Sequence, residues 1–237
     1  LNRNAVGDIK TTTVFEYNND DSLKKSTTYR GVDKATGNVD AATHLVFAKG
    51  TATIKSDTYY TGAQGEEIAK ITFNRNSLEE IKTTTEFKYN TDDSLDTSTT
   101  YRGVDKATGD TDLTTLVFTK SAAAKIKSKT SYKGEQGEEI ADITLNYNSL
   151  EQVKTTTLFD YNADESLKKS TTYRNVNPDT GVIAWEVTKQ DNTKQTFNAK
   201  IKSETYYAGG QGDEIAKTTL NRNAVGDIKT TTVFEYN

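Results

Sequence analysis

The stretch Ile9-Lys10-Thr11-Thr12-Thr13-Val14-Phe15-Glu16-Tyr17-Asn18 decides the fold, because it returns with small changes from Ile81 to Asn90, from Val153 to Asn162 and from Ile228 to Asn237. The steps between copies are 72, 72 and 75 residues. Thr27 to Gly37 is repeated letter for letter from Thr99 to Gly109 and in altered form from Thr171 to Gly181. Gln64-Gly65-Glu66-Glu67-Ile68-Ala69 has counterparts at Gln136 to Ala141 and Gln211 to Ala216. Self-similarity at a fixed step marks a repeat architecture. The 237 residues therefore divide into repeats 9–80, 81–152 and 153–227, with partial flanking copies 1–8 and 228–237. Residues 1–18 are identical to 220–237, a second period of 219 residues, so the chain is expected to be a segment of a longer tandem array or an artificial sequence closed on itself.

Inside each repeat the pattern has period two and is rich in Thr, Tyr, Phe, Ile and Val, which predicts strands. In the opening stretch Ile9, Thr11, Thr13, Phe15 and Tyr17 are expected on one face, and Lys10, Thr12, Val14 and Glu16 on the other. Asn18 to Ser22 carries turn chemistry and Leu23 to Arg30 alternates again, so the two runs read as a hairpin. Further strands are predicted near 39–48, 51–60 and 68–74, giving five per repeat. An odd number would reverse chain direction from one repeat to the next along a flat meander. Either a sixth short strand lies within 31–43 or the chain coils. The expected fold is all-β and elongated, a tandem-repeat β-solenoid or a spiralling antiparallel β-hairpin ribbon.

Composition narrows the function. Only 33% of residues are apolar and 27% are charged, as suits a thin ribbon that buries one face per strand and stacks repeat on repeat. Without Cys, thiolate metal sites, disulfides and cysteine nucleophiles are excluded, and one histidine, His44, excludes a multi-histidine site within the chain. A net charge of −4 with interspersed Lys and Arg gives no footprint for nucleic acid. No apolar run approaches the roughly 20 residues of a helical membrane span, so no membrane insertion is expected.

Phe15-Glu16-Tyr17-Asn18-Asn19-Asp20-Asp21-Ser22-Leu23 resembles the Tyr-x-Tyr-Asp-x-x-Gly-Arg-Leu core of YD repeats, the hairpin units of Rhs and teneurin-type proteins, and the resemblance recurs at 87–95 and 159–167. Asn replaces the Asp, an acidic residue (Asp21, Asp93 or Glu165) stands at the Gly position, and Ser stands at the Arg. The resemblance implies a spiralling β-hairpin shell on a large extracellular protein, with no catalytic residues.

Three features are candidate sites. Thr12, Thr28, Thr84, Thr100, Thr156, Thr172 and Thr231 are candidates for an outward Thr ladder facing ice or polysaccharide, against the plainer reading of cross-strand pairing. Asp20, Asp21, Asp92, Asp93, Asp164 and Glu165 are candidate calcium ligands, against ordinary solvated turns. Trp185, confined to the third repeat, is a candidate aromatic contact for a sugar or a protein, against packing within the coil. Carboxylate pairs repeated in every unit argue against a single active site, and no enzyme activity is expected. The function expected is a structural segment of a long extracellular fibre, stalk or sheath whose copies associate end to end. The alternative is a repetitive adhesion surface for polysaccharide, ice or a host receptor, or a YD-type shell.

Overall fold

The computed structural model describes residues 2–3, 8–33, 37–38, 47–103, 111–188 and 194–236. Its strands are β1 (Asn2–Arg3), β2 (Ile9–Tyr17), β3 (Leu23–Arg30), β4 (Thr53–Thr61), β5 (Ile68–Arg75), β6 (Ile81–Tyr89), β7 (Leu95–Arg102), β8 (Thr111–Asp112), β9 (Val117–Phe118), β10 (Lys125–Lys133), β11 (Ile140–Tyr147), β12 (Val153–Tyr161), β13 (Leu167–Arg174), β14 (Ala184–Thr188), β15 (Lys194–Asn198), β16 (Lys200–Ala208), β17 (Ile215–Arg222) and β18 (Ile228–Val233). The protein is all-β, and no helix occurs among the described residues. Two compact units are present, residues 1–88 with 100–125, and residues 89–99 with 126–237, so β7 is divided between them.

In the first unit the sheet runs β1-β2-β3-β4-β5-β6, and in the second β10-β11-β12-β13-β16-β17-β18. Each of these strands is antiparallel to the next. The small pairs β8-β9 and β14-β15 stand apart as hairpins of their own. This corrects the expected five strands per repeat. Four strands of the first repeat and four of the third enter a meander, an even number that returns the chain to its starting direction. The segment read as a fifth strand lies mostly outside the described residues in the first repeat, and its counterparts in the other two are the side hairpins. His44 lies outside the described residues.

The expected faces also need correction, because each of these meander pairs carries a bulge, whereas the side hairpins β8-β9 and β14-β15 pair without one. In β2, Arg3 faces Ile9 and Asn2 faces Thr11, leaving Lys10 as the extra residue. The same reading gives Lys24, Lys55, Lys70 and Lys82 in the first unit, and Asp142, Lys154, Lys168, Lys202, Lys217 and Lys229 in the second. Lysine thus occupies nearly every bulge. A bulged residue has no partner across the ladder, and a long side chain lets its charge stay in water. One extra residue flips the alternation. Ile9 and Thr12 therefore share a face, and both are buried, whereas Phe15 and Tyr17 are exposed.

That shared face holds the core. Ile9 packs with Val32, Ala52, Tyr29 and Phe47, so the chain leaving β3 folds back over the sheet. Aromatic pairs recur in these connections: Tyr29 on Phe47 with centroids 4.5 Å apart, Tyr101 on Phe118 at 4.5 Å, and Trp185 stacked on Phe197 at 5.3 Å. Gly62 opens the β4–β5 turn at φ +119°, where a Cβ would strike the Glu66 carbonyl, and Gly134 and Gly209 repeat the arrangement.

Candidate functional site

The acidic turns are built as braces. Between β2 and β3 the Asp20 carboxylate accepts from the Ser22 amide at 3.1 Å and hydroxyl at 2.6 Å, while Asn18 Nδ2 donates to Ser22 Oγ at 2.9 Å. Asp92 with Ser94 and Asp164 with Ser166 repeat the geometry. Asp21, Asp93 and Glu165 take left-handed φ values of 61°, 59° and 60° at the same turns. The second acid of each Glu66-Glu67-type pair reaches across to the neighbouring turn. Glu67 accepts from the Leu23 amide at 2.8 Å, Glu139 from Leu95 at 2.9 Å and Glu214 from Leu167 at 2.9 Å. At the opposite margin Glu79 and Glu151 accept from the Ile54 and Ile126 amides at 2.7 and 2.9 Å. These clamps were not read from the sequence. The signal was the invariance of the second acid among the three repeats, where the first changes between Glu66, Glu138 and Asp213. No group of three acids or histidines suited to a metal ion occurs among the described residues.

Bonding of this kind sets the acid sensitivity. The Ser22 hydroxyl and amide hold Asp20 below its usual value, and Ser94 and Ser166 do the same for Asp92 and Asp164. Backbone amides at Leu23, Ile54 and Leu167 lower Glu67, Glu79 and Glu214, with Lys49 adding to the effect on Glu79. A carboxylate whose folded pKa is depressed contributes stability that is present above its unfolded pKa and is lost as pH falls through the folded one. Thermal melts from pH 7 to 2 are therefore expected to hold a constant midpoint until the ordinary values of 4.5 for Glu and 3.8 for Asp are approached, then fall steeply. Glu67→Gln should flatten that fall.

The threonines chosen for a ladder do not lie on one surface. Thr12, Thr84 and Thr156 are buried, at 4%, 0% and 3% exposure, with Thr12 and Thr156 bonded to the returning connections. Thr12 Oγ1 donates to the Gly37 carbonyl at 3.4 Å and Thr156 Oγ1 to Gly181 at 2.6 Å. Register explains the error, since Thr12 faces Tyr29 and Thr13 faces Thr28. Thr28, Thr100 and Thr172 stand on the opposite face, half-buried, with hydroxyls 3.0, 2.9 and 2.9 Å from those of Thr13, Thr85 and Thr157. Thr58–Thr72, Thr130–Thr144 and Thr205–Thr219 form like pairs. Thr231 is exposed in β18. Trp185 is half-buried on Phe197 in its hairpin.

The surface over β10–β12 in the second unit is concave. In register, Lys129 faces Leu145 and Leu145 faces Thr156, while Ser131 faces Ile143 and Ile143 faces Leu158. These two rungs floor a cavity of about 350 Å³ roofed by residues 180–183. The roof is tied down by the Thr156–Gly181 bond and by the Val153 amide on the Pro178 carbonyl at 2.7 Å. Position 129 differs sharply from its sisters. Asp57 and Glu204 occupy it in the first and third repeats and pair with Arg75 and Arg222, at 2.8 and 2.7 Å, whereas the second repeat has Lys129 and Tyr147.

No family model matches the chain, and no curated protein matches it. Among solved structures it is similar to a protein of unknown function from Bacteroides fragilis, at 9% identity and a TM-score of 0.23 over 81% of this chain and 92% of that one. A porin-like protein from Bacteroides uniformis is similar at 10% identity and a TM-score of 0.19 over 81% and 90%.

Proposed function

We propose that the chain is a structural segment of an extracellular fibre, stalk or sheath, a spiralling β-hairpin ribbon whose copies join by strand addition at the sheet edge. The observation that carries this reading is one sequence in two settings. Ile-Lys-Thr-Thr-Thr-Val forms the buried start of β2, between β1 and β3, and forms all of β18, which pairs with β17 and is exposed throughout. A strand like β3 laid against β18 would complete a setting the sequence already occupies elsewhere. Backbone bonding at an open edge is a ready route to such addition. The recurring bulges support the spiral, since each adds right-handed twist. The lack of Cys and Met suits exposure to oxidants. The role is passive, with ladders bearing load and charged side chains keeping the ribbon soluble.

A YD-type shell is the second reading. It is favoured by the left-handed backbone at Asp21, Asp93 and Glu165, the position at which that pattern carries glycine. Negative-stain electron microscopy of the purified protein over a concentration series tests the first reading. End-to-end filaments or oligomers are expected, and monodisperse particles of one chain at every concentration would contradict it.

A further inference from the structure

We propose that the groove over β10, β11 and β12 binds a small apolar monocarboxylate, an aliphatic or aryl acid, with its anionic head on the Lys129 ammonium and its body against Ile143, Leu145 and Leu158. At about 350 Å³ the cavity is within the size range of ligand pockets, roughly 300–1,000 Å³. Ile143, Leu145 and Leu158 of its floor and the roof residues Val182 and Ile183 are aliphatic, which selects an apolar body.

The charge selects the head group. Lys129 is half-buried and has no ion-pair or hydrogen-bond partner among the described residues. A partly desolvated ammonium is stabilised by an anion brought to it. The sister positions lack this capacity, because Asp57 and Glu204 are already joined to Arg75 and Arg222. A single cation, with the Ser131 and Thr180 hydroxyls lining the same cavity, matches one carboxylate better than a phosphate or a diacid.

Volume tells the same story. Tyr59 and Phe73 of the first repeat pack edge to face at 5.9 Å, whereas their counterparts in the second are Ser131 and Leu145. The two rings of the first repeat are therefore absent at these positions, while Tyr147 stands where the first repeat has Arg75. The space is preserved rather than collapsed, because the roof is held by backbone bonds. Gly181 sits so close that a Cβ there would meet Leu145 Cδ2 at 2.6 Å.

Titration of the full chain with octanoate, followed by calorimetry and by amide NMR shifts, tests the proposal, with octanol as the uncharged probe. Saturable binding of one octanoate is expected, with shifts confined to β10–β12 and residues 180–183. Lys129→Met should weaken octanoate at least 10-fold and leave octanol unchanged. Ser131→Tyr with Leu145→Phe, which installs the rings of the first repeat, should abolish both while circular dichroism shows the sheet retained. Failure of octanoate to bind, equal loss of octanoate and octanol in Lys129→Met, or unchanged binding in the ring-filled variant would overturn it. Should Lys129→Met fail to fold, the ring-filled variant decides alone.

Discussion

Asp57→Ala is expected to destabilise the first unit by about 3–5 kcal/mol, the usual cost of stranding one partner of a buried ion pair. Asp57 is 2% exposed and Arg75 is 9% exposed. Arg75 Nε and Nη2 both reach Asp57 Oδ2 at 2.8 Å, Thr27 Oγ1 donates to Oδ1 at 3.2 Å, and the Lys25 ammonium stands 3.6 Å away. Removing the carboxylate leaves a guanidinium that cannot escape to water, because Nη1 is also bonded to the Glu79 carbonyl at 2.9 Å. Urea denaturation measures the loss. Asp57→Leu with Arg75→Met removes both charges and should recover most of the stability. Lys129→Ala, at the equivalent site of the second repeat, strands no partner and is expected to cost less than about 1 kcal/mol. Equal effects at the two sites would show that burial of the pair is not what matters.

Much of this architecture was legible in the sequence. The hairpin of β2 and β3 was placed to within one residue, and β4 and β5 to within two, because alternation and Asn/Asp turns are local signals. The count of strands was not legible, since the connections after β7 and β13 fold into hairpins of their own whose residues also alternate. Neither were the faces. A bulge leaves the residue types of a strand unchanged and inverts their meaning, so Thr12 read as outward although it is buried. The lysine repeated at the second or third position of most of the long strands is the mark of the bulge. The clamp made by Glu67 was not legible because its partner, the Leu23 amide, lies 44 residues away in sequence. The groove at Lys129 was written in the changes Tyr59 to Ser131 and Phe73 to Leu145, yet only the register shows that these positions meet.

The second large effect concerns the repeats themselves. Few apolar side chains are fully buried: Ile71 and Phe73, at 1% and 3% exposure, stand out in β5, and the Ile9 cluster includes only three fully buried residues. The interior of one repeat is closed by strands of the next, as β5 pairs with β6 and β11 with β12. A lone repeat would expose both the edge amides and the apolar side chains these pairings cover. In such arrays stability is approximately a sum of repeat terms and nearest-neighbour interfaces.

The most direct test of a ribbon held together between repeats is urea denaturation of chains of one, two, three and four repeats, monitored by far-ultraviolet circular dichroism. A single repeat should be unfolded in water. Each further repeat should add stability on the order of 4–10 kcal/mol, with a rising midpoint, until unfolding ceases to be all-or-none. A single repeat that folds with the midpoint of the three-repeat chain would contradict the account.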